Sequence, residues 1–370
     1  MYLCDFHSIE PPLYKSQSDC LEWLVKAYTQ SQSASHYTEE DYRKIIYKVA
    51  CSESHIHQRG FFLEEVQDTD WAQKEVYSLL SSPKGAGTDI RQTYYNQISD
   101  HLFENIYTNR RTPEDIIHIT CTGYQSPSAA QKIAAKISSH ITVTHSYHMG
   151  CYGAFPALRM ACGFLSNPAI LGKKHRIDLV HTEICSLHMS PQDPPLEQMV
   201  IQSLFADGCI AYTMTDQRPL TGFRIHSLHE GLIPDTSQAM EWATSEFGMR
   251  MVLSKDVPHL VGQNIRQFIS DWVQSLSLDV STTFQNAIFA IHPGGPKIID
   301  QVQEHLQLRS DQLEFSRRIF HQRGNMSSAT IPHLWEELLK NPLVPAQVPI
   351  ISMAFGPGLT VCLSLMEKLP

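Results

Sequence analysis

The spacing of apolar positions along the chain changes period several times, and those changes mark out its elements. Residues 18–31 and 38–49 carry helical spacing, with Leu21, Leu24, Val25 and Tyr28 on one stripe and Ile45, Ile46 and Val49 on another. Ser18 with Asp19, and Thr38 with Glu39 and Glu40, supply the acceptors and negative charge that favour a helix start. A further helix is predicted over 70–80, followed by a loop, SSPKGAGTD, at 81–89. From Ile116 the pattern becomes that of a layered α/β protein. Residues 116–120 read as a buried strand ending in Cys121, Thr122 and Gly123, and Ser126 with Pro127 opens an Ala-rich helix to Ser138. Next come an alternating β-branched strand at 141–144 and a helix with Phe155, Leu158, Ala161 and Cys162 on one face. A third strand at 177–181, a helix at 196–204 and a strand from Cys209 complete this half.

The second half repeats the rhythm. Strands are predicted at 223–228 and 287–292, and helices at 258–276, 295–306 and 330–339. Residues 349–365 hold two strand-like runs split by Gly356, Pro357 and Gly358. Strand and helix alternating in this way predict an α/β fold built of two similar layers, 1–215 and 216–370, facing each other across one site. Each layer ends a buried strand on a reactive side chain: Cys121 and Cys151 in the first, His292 in the second.

Composition narrows the function classes. The chain has 370 residues, 42% apolar and 18% charged, enough for a large core. No apolar run approaches the roughly 18 residues of a membrane span, and MYLCDFHSIEPPLYK lacks the parts of an export signal, so the cytoplasm is expected. A net charge of −9 with scattered basic residues argues against a nucleic-acid partner. Nine cysteines without a C-x-x-C pair fit reduced thiols better than a disulfide framework.

The chemistry centres on HSYHMGCYGAFPALRMA, residues 145–161. Strand, Gly150 turn and helix would hold the Cys151 thiol near a helix N-terminus, where unpaired N–H groups favour a thiolate. His145, His148 and Cys151 are spaced three apart, but the Gly150 turn breaks a shared helical face and no fourth ligand is evident, so a metal site is disfavoured. A cysteine nucleophile needs a base and a polar group beside it. Among nineteen histidines His292 stands out, because it ends the apolar run AIFAI and enters Pro293, Gly294 and Gly295. Asn325, between Gly324 and Met326, is the third candidate, although Asn before a helix is also a common cap. Cys, His and Asn in that order also describe papain-like proteases, with a histidine about 140 residues downstream, but the local signature around Cys151 is different.

Taken together, the segments resemble type III polyketide synthases of the chalcone synthase family, of a bacterial type. The resemblance rests on GC-x-x-x-x-x-x-LR around Cys151, LFADG at 204–208, SKDVP at 254–258, IHPGGPKIID at 291–300, GNMSSA at 324–329 and FGPGLTV at 355–361. It implies a thiolase-like fold of two αβαβα halves and a homodimer. The implied activity is decarboxylative Claisen condensation of an acyl thioester with malonyl-CoA, an acyltransferase reaction without metal or redox cofactor. Cys151 matches the family nucleophile, and His292 and Asn325 match its catalytic partners. Phe205 matches a gatekeeper phenylalanine, Ser327 a substrate-contact position, and Gly358 the loop flooring the cavity.

Departures from the plant pattern fall on the pocket. Met251 replaces a second phenylalanine, Cys121, Cys185 and His188 stand where plant enzymes carry cavity threonines, and Ser126 replaces a methionine that crosses the dimer interface. Positions matching the basic residues that hold CoA phosphates are Ile46, Val49 and Glu53, with Lys44 and Lys48 nearby. Delivery of the starter on an acyl carrier protein is therefore open. The expected product is a pyrone, resorcinol or phloroglucinol. The alternatives are a carrier-protein-dependent ketosynthase, of single-condensation or chain-joining kind, and a non-catalytic scaffold subunit.

Overall fold

The computed structural model describes residues 1–31, 37–189, 191 and 195–370. Its first half contains β1 (Tyr2–Ile9), a small antiparallel pair β2 (Leu13–Ser16) and β3 (Gln58–Phe61), then β4 (Asp115–Thr120), β5 (Thr142–Tyr147), β6 (Arg176–Glu183) and β7 (Gly208–Thr215). The second contains β8 (Phe223–Leu232), a hairpin of β9 (Met240–Ser245) and β10 (Gly248–Leu253), then β11 (Ile288–Ile291), β12 (Pro349–Gly356) and β13 (Thr360–Lys368).

Nine of these strands follow one order, β11-β12-β13-β8-β1-β7-β6-β4-β5. The seam lies between β1 and β8, which pair only at Tyr2↔Arg224 and Leu3↔Phe223. On either side the connectivity repeats. β4, β6, β7 and β1 lie side by side in the first half as β11, β12, β13 and β8 do in the second, each with one parallel pair followed by antiparallel pairs. β5 is the extra edge strand of the first half, parallel to β4.

Side-chain alternation builds five layers on this frame. Ile116 and Val180 face an outer core under the helices Gln17–Ser31, Thr88–Tyr107 and Ala129–Ile137. Ile117, Ile119, Ile177 and Leu179 face the opposite way, onto two central helices, Ala154–Ser166 and Thr330–Lys340. The other side of that layer is closed by Ala290, Ile350, Ala354 and Cys362 of the second half. Beyond it Val257–Ser275 and Pro296–Leu306 form the last helical layer, on Phe289, Ile351 and Leu363. This is a thiolase-like αβαβα arrangement, with both central helices starting beside the same cleft.

Several local expectations are corrected. The helix predicted over 70–80 is only a short turn, Trp71–Gln73, because the backbone N–H groups of Glu75, Val76 and Tyr77 donate to the Glu65 carboxylate instead of to a helical ladder. The first helix is capped by Ser16, whose hydroxyl exchanges hydrogen bonds with Asp19, and not by Ser18. The Ala-rich helix starts two residues after Pro127, where Ser128 and Gln131 form a reciprocal capping box. Among the described residues no helix is long and apolar enough to cross a membrane.

Candidate active site

Three loops at the ends of these layers bring the predicted residues together. β5 leads through His148 and Gly150 into a tight turn, Gly150–Tyr152, and then into the central helix. Gly150 has φ +78°, and a Cβ there would stand 2.6 Å from Pro357 Cδ, so the turn accepts only glycine without a shift. His292 follows β11 directly, its N–H held by Met353 O at 2.7 Å. Asn325 is held beside Phe205 by two backbone bonds, Ala206 N–H to Asn325 O (2.8 Å) and Asn325 N–H to Leu204 O (2.9 Å). Positive φ at His148, Ser327 and Leu359 concentrates strained backbone around the same cleft.

Cys151, His292 and Asn325 all line one cavity of about 890 Å³. The volume suits an organic substrate. His292 is 1% exposed, and among the described residues neither ring nitrogen has a hydrogen-bond partner. A buried polar group without a protein partner costs free energy, and both ring nitrogens are left free to bond a molecule in the cavity. Asn325 accepts Ser327 N–H on its Oδ1 (2.9 Å), which leaves its NH₂ as the group it can donate.

Electrostatics give a resting state different from the thiolate expected at a helix N-terminus. Burial pushes the Cys151 thiol up to about 12, with the Glu183 carboxylate acting in the same direction and the Ser327 and Asn325 side chains opposing both. Burial holds His292 down to about 3. With the thiol raised and the imidazole lowered, both groups are neutral near pH 7.

A second, inner pocket of about 40 Å³ lies behind the first. Its size leaves room for little more than water. Cys151, Phe205 and Met251 line both spaces, so Phe205 and Met251 stand at the partition. Cys121, Cys185, His188 and Ser327 line the inner pocket. His188 is fixed: Nε2–H donates to Thr122 O (2.9 Å) and Nδ1 accepts Met249 N–H (3.0 Å). Cys121 Sγ accepts Gly150 N–H at 2.9 Å. Gly358 lies just beyond the lining, with φ +67°, while its neighbour Pro357 forms the wall. Ser126 is exposed and lines neither space. His145 and His148 are tied to Ser128 and Tyr124.

Sequence reasoning missed what fills the inner pocket. The β9–β10 hairpin sets Trp242 opposite Met251, and Met240, Trp242, Met249 and Met251 all reach the pocket. Trp242 Nε1–H donates to Cys121 O (2.8 Å), and its ring stands edge-on to His188 with centroids 6.0 Å apart. The alternation M-x-W in MEWATS and M-x-M in GMRMVL was the available signal. Two buried carboxylates brace the surroundings. Glu183 accepts Cys121 N–H (3.0 Å), Thr122 Oγ1–H (3.1 Å) and the Ser328 hydroxyl, linking the Cys and Asn loops. Asp207, raised to about 6 by burial, accepts Phe62 N–H and Ser186 N–H, each at 2.8 Å, and anchors the Phe205 segment.

Comparison with known proteins agrees with this architecture. Residues 224–370 match the family of chalcone and stilbene synthases, C-terminal domain. The whole chain superposes on the C-terminal type III polyketide synthase domain of Steely1, a type I/III hybrid from Dictyostelium, with a TM-score of 0.83 and 22% identity, covering 100% of this chain and 99% of that one. The C-terminal part of this chain is thus similar to the chalcone and stilbene synthases, and the chain as a whole has the thiolase-like fold of that type III polyketide synthase domain.

Proposed function

We propose that the protein condenses an acyl thioester with malonyl-CoA by decarboxylative Claisen chemistry through an acyl-Cys151 intermediate. The observation that carries this reading is the convergence of Cys151, a partnerless buried His292 and the Asn325 amide on one roomy cavity. His292 takes the Cys151 proton, the sulfur attacks the starter carbonyl, and the departing thiolate recovers a proton. A malonyl thioester then loses CO₂, and its enolate oxygen accepts hydrogen bonds from His292 and the Asn325 NH₂. The enolate carbon attacks the acyl-Cys151 carbonyl and expels the Cys151 thiolate, extending the chain by two carbons. The reaction draws on no metal or redox cofactor.

The nearly filled inner pocket favours few extensions and a small pyrone, resorcinol or phloroglucinol product. It also supports the second reading, a ketosynthase of the same fold that stops after one condensation. A homodimer through the β5 edge fits the exposed Ser126 nearby, and a cytoplasmic location fits the reduced cysteines. Replacement of Cys151 by Gln tests the division of roles. The variant should form no product yet still release CO₂ from malonyl-CoA, whereas loss of both activities would contradict the roles given to His292 and Asn325.

A further inference from the structure

The mouth of the large cavity has two unlike lips. One is formed by Val49, Ala50, Cys51, Ser52 and His55, with no lysine or arginine lining it. Nearby, Lys44 pairs with Glu40, Lys48 stays outside the lining, and Glu53 accepts Ser18 N–H. The opposite lip carries Lys255 and Lys297, both exposed and both lining the cavity. Among the described residues neither has an ion-pair or hydrogen-bond partner. The acidic groups beside them are Glu197, which accepts Leu253 N–H (2.6 Å), and the exposed Asp256.

Lys297 is the second residue of the helix Pro296–Leu306, whose first turn has no acidic residue. A cation there opposes the helix dipole and lies beside unpaired N–H groups, a cost that an anion at the same place would reverse. Five residues earlier the partnerless, buried His292 faces the same cavity, an independent mark of a ligand that runs from the lip to the thiol. On a chain of net charge −9, an uncompensated cationic pair at a cleft mouth would locally attract a polyanion.

We propose that Lys255, Lys297 and the N-terminus of the Pro296–Leu306 helix hold the phosphate of a phosphopantetheine thioester whose acyl end reaches Cys151. This rests on the condensation reading above and moves the phosphate contacts to the lip opposite the one the family resemblance implies. The same phosphate occurs in coenzyme A and in the arm of an acyl carrier protein.

Calorimetric titration with coenzyme A, 4′-phosphopantetheine and pantetheine tests it on the full chain. The wild type should bind both phosphorylated probes at least about tenfold more tightly than pantetheine, and less so as salt rises. The double variant Lys255→Ala/Lys297→Ala should lose that advantage while binding pantetheine unchanged, and Lys48→Ala should keep it. Equal binding of phosphopantetheine and coenzyme A supports a single-phosphate site such as a carrier arm would use. Tighter coenzyme A binding supports the clamp with added nucleotide contacts. Retention of the advantage in the double variant, or equal weakening for pantetheine, overturns the proposal. Phosphate-dependent binding without acylation of Cys151 by any thioester would instead overturn the condensation reading and leave the clamp standing.

Discussion

His292 is buried and His188 half-buried, both are held down to about 3 mainly by desolvation, and each lines a space that Cys151 also walls. They differ in their partners. Both His188 nitrogens are spent on backbone groups, one as donor and one as acceptor, which fixes its tautomer and makes it part of a wall. Both His292 nitrogens are open and face about 890 Å³. A depressed basicity thus says only that a histidine is desolvated, and hydrogen-bond accounting separates the one that can act from the one that supports.

The largest expected break in this comparison is His292→Ala. It should cut condensation at least a thousandfold, the scale of losing an oxyanion donor together with a base, while changing stability by less than about 1 kcal/mol because the lost ring had no partner. It should also change how Cys151 reacts with iodoacetamide. General-base transfer within a neutral Cys151–His292 pair consumes no solvent proton and adds a pH-independent path, so the wild-type rate should exceed that of the variant most at about pH 5 and converge on it towards pH 9. Without His292 only the bare thiol remains, raised towards 12, and the rate should climb about tenfold per pH unit. A flat profile in the variant would remove His292 from the role of base.

His188→Ala should do the reverse. Leaving Thr122 O and Met249 N–H without partners should cost about 1–3 kcal/mol in urea unfolding, with loading of Cys151 retained. Trp242→Gly should open the inner pocket, and mass spectrometry of the products should show additional two-carbon extensions. An unchanged product would mean that Trp242 does not limit the chain.

Acid stability is the next effect in size. His118, His188 and His292 are held down to about 3, below the free value, so the stability they confer is present above pH 6.5 and falls away as the unfolded chain takes up protons below it. At pH 5 each costs about 2 kcal/mol. Asp207 has the opposite sign, since its raised value means that stability is recovered as pH falls through about 6, but one group offsets only about 1 kcal/mol at that pH. The midpoint of urea unfolding should therefore drop between pH 7 and pH 5. A constant midpoint would contradict the desolvated neutral histidines.

Much of this was readable in the residues. Strands such as β4 and β6 carry short isoleucine- and leucine-rich stretches interrupted by single polar residues, the central helices carry clear periodicity, and the Cys, His and Asn loops have distinctive strings. What escaped has physical causes. β1 is broken by a bulge around Asp5, which has φ +52° and disrupts the alternation. The helix Thr88–Tyr107 hides its face because Arg91 and Ser99 share its buried stripe, Arg91 being 1% exposed and satisfied by carbonyls of Ala86, Lys84 and Leu187. The division into an open and a filled space depends on a cross-strand meeting of Trp242 with Met251, and on which histidine finds partners, neither of which is written locally in the chain.

The central claim is that Cys151, and no other thiol, carries the acyl group. Cys121 and Cys185 share its inner pocket and are also pushed up by burial, yet neither lines the large cavity with His292. Intact-protein mass spectrometry with peptide mapping, after exposure to a panel of acyl-CoA and acyl-carrier thioesters, tests this most directly. The account predicts one acyl adduct, on Cys151, that disappears in Cys151→Ala; an adduct on Cys121 or Cys185, or product formation by Cys151→Ala, would contradict it.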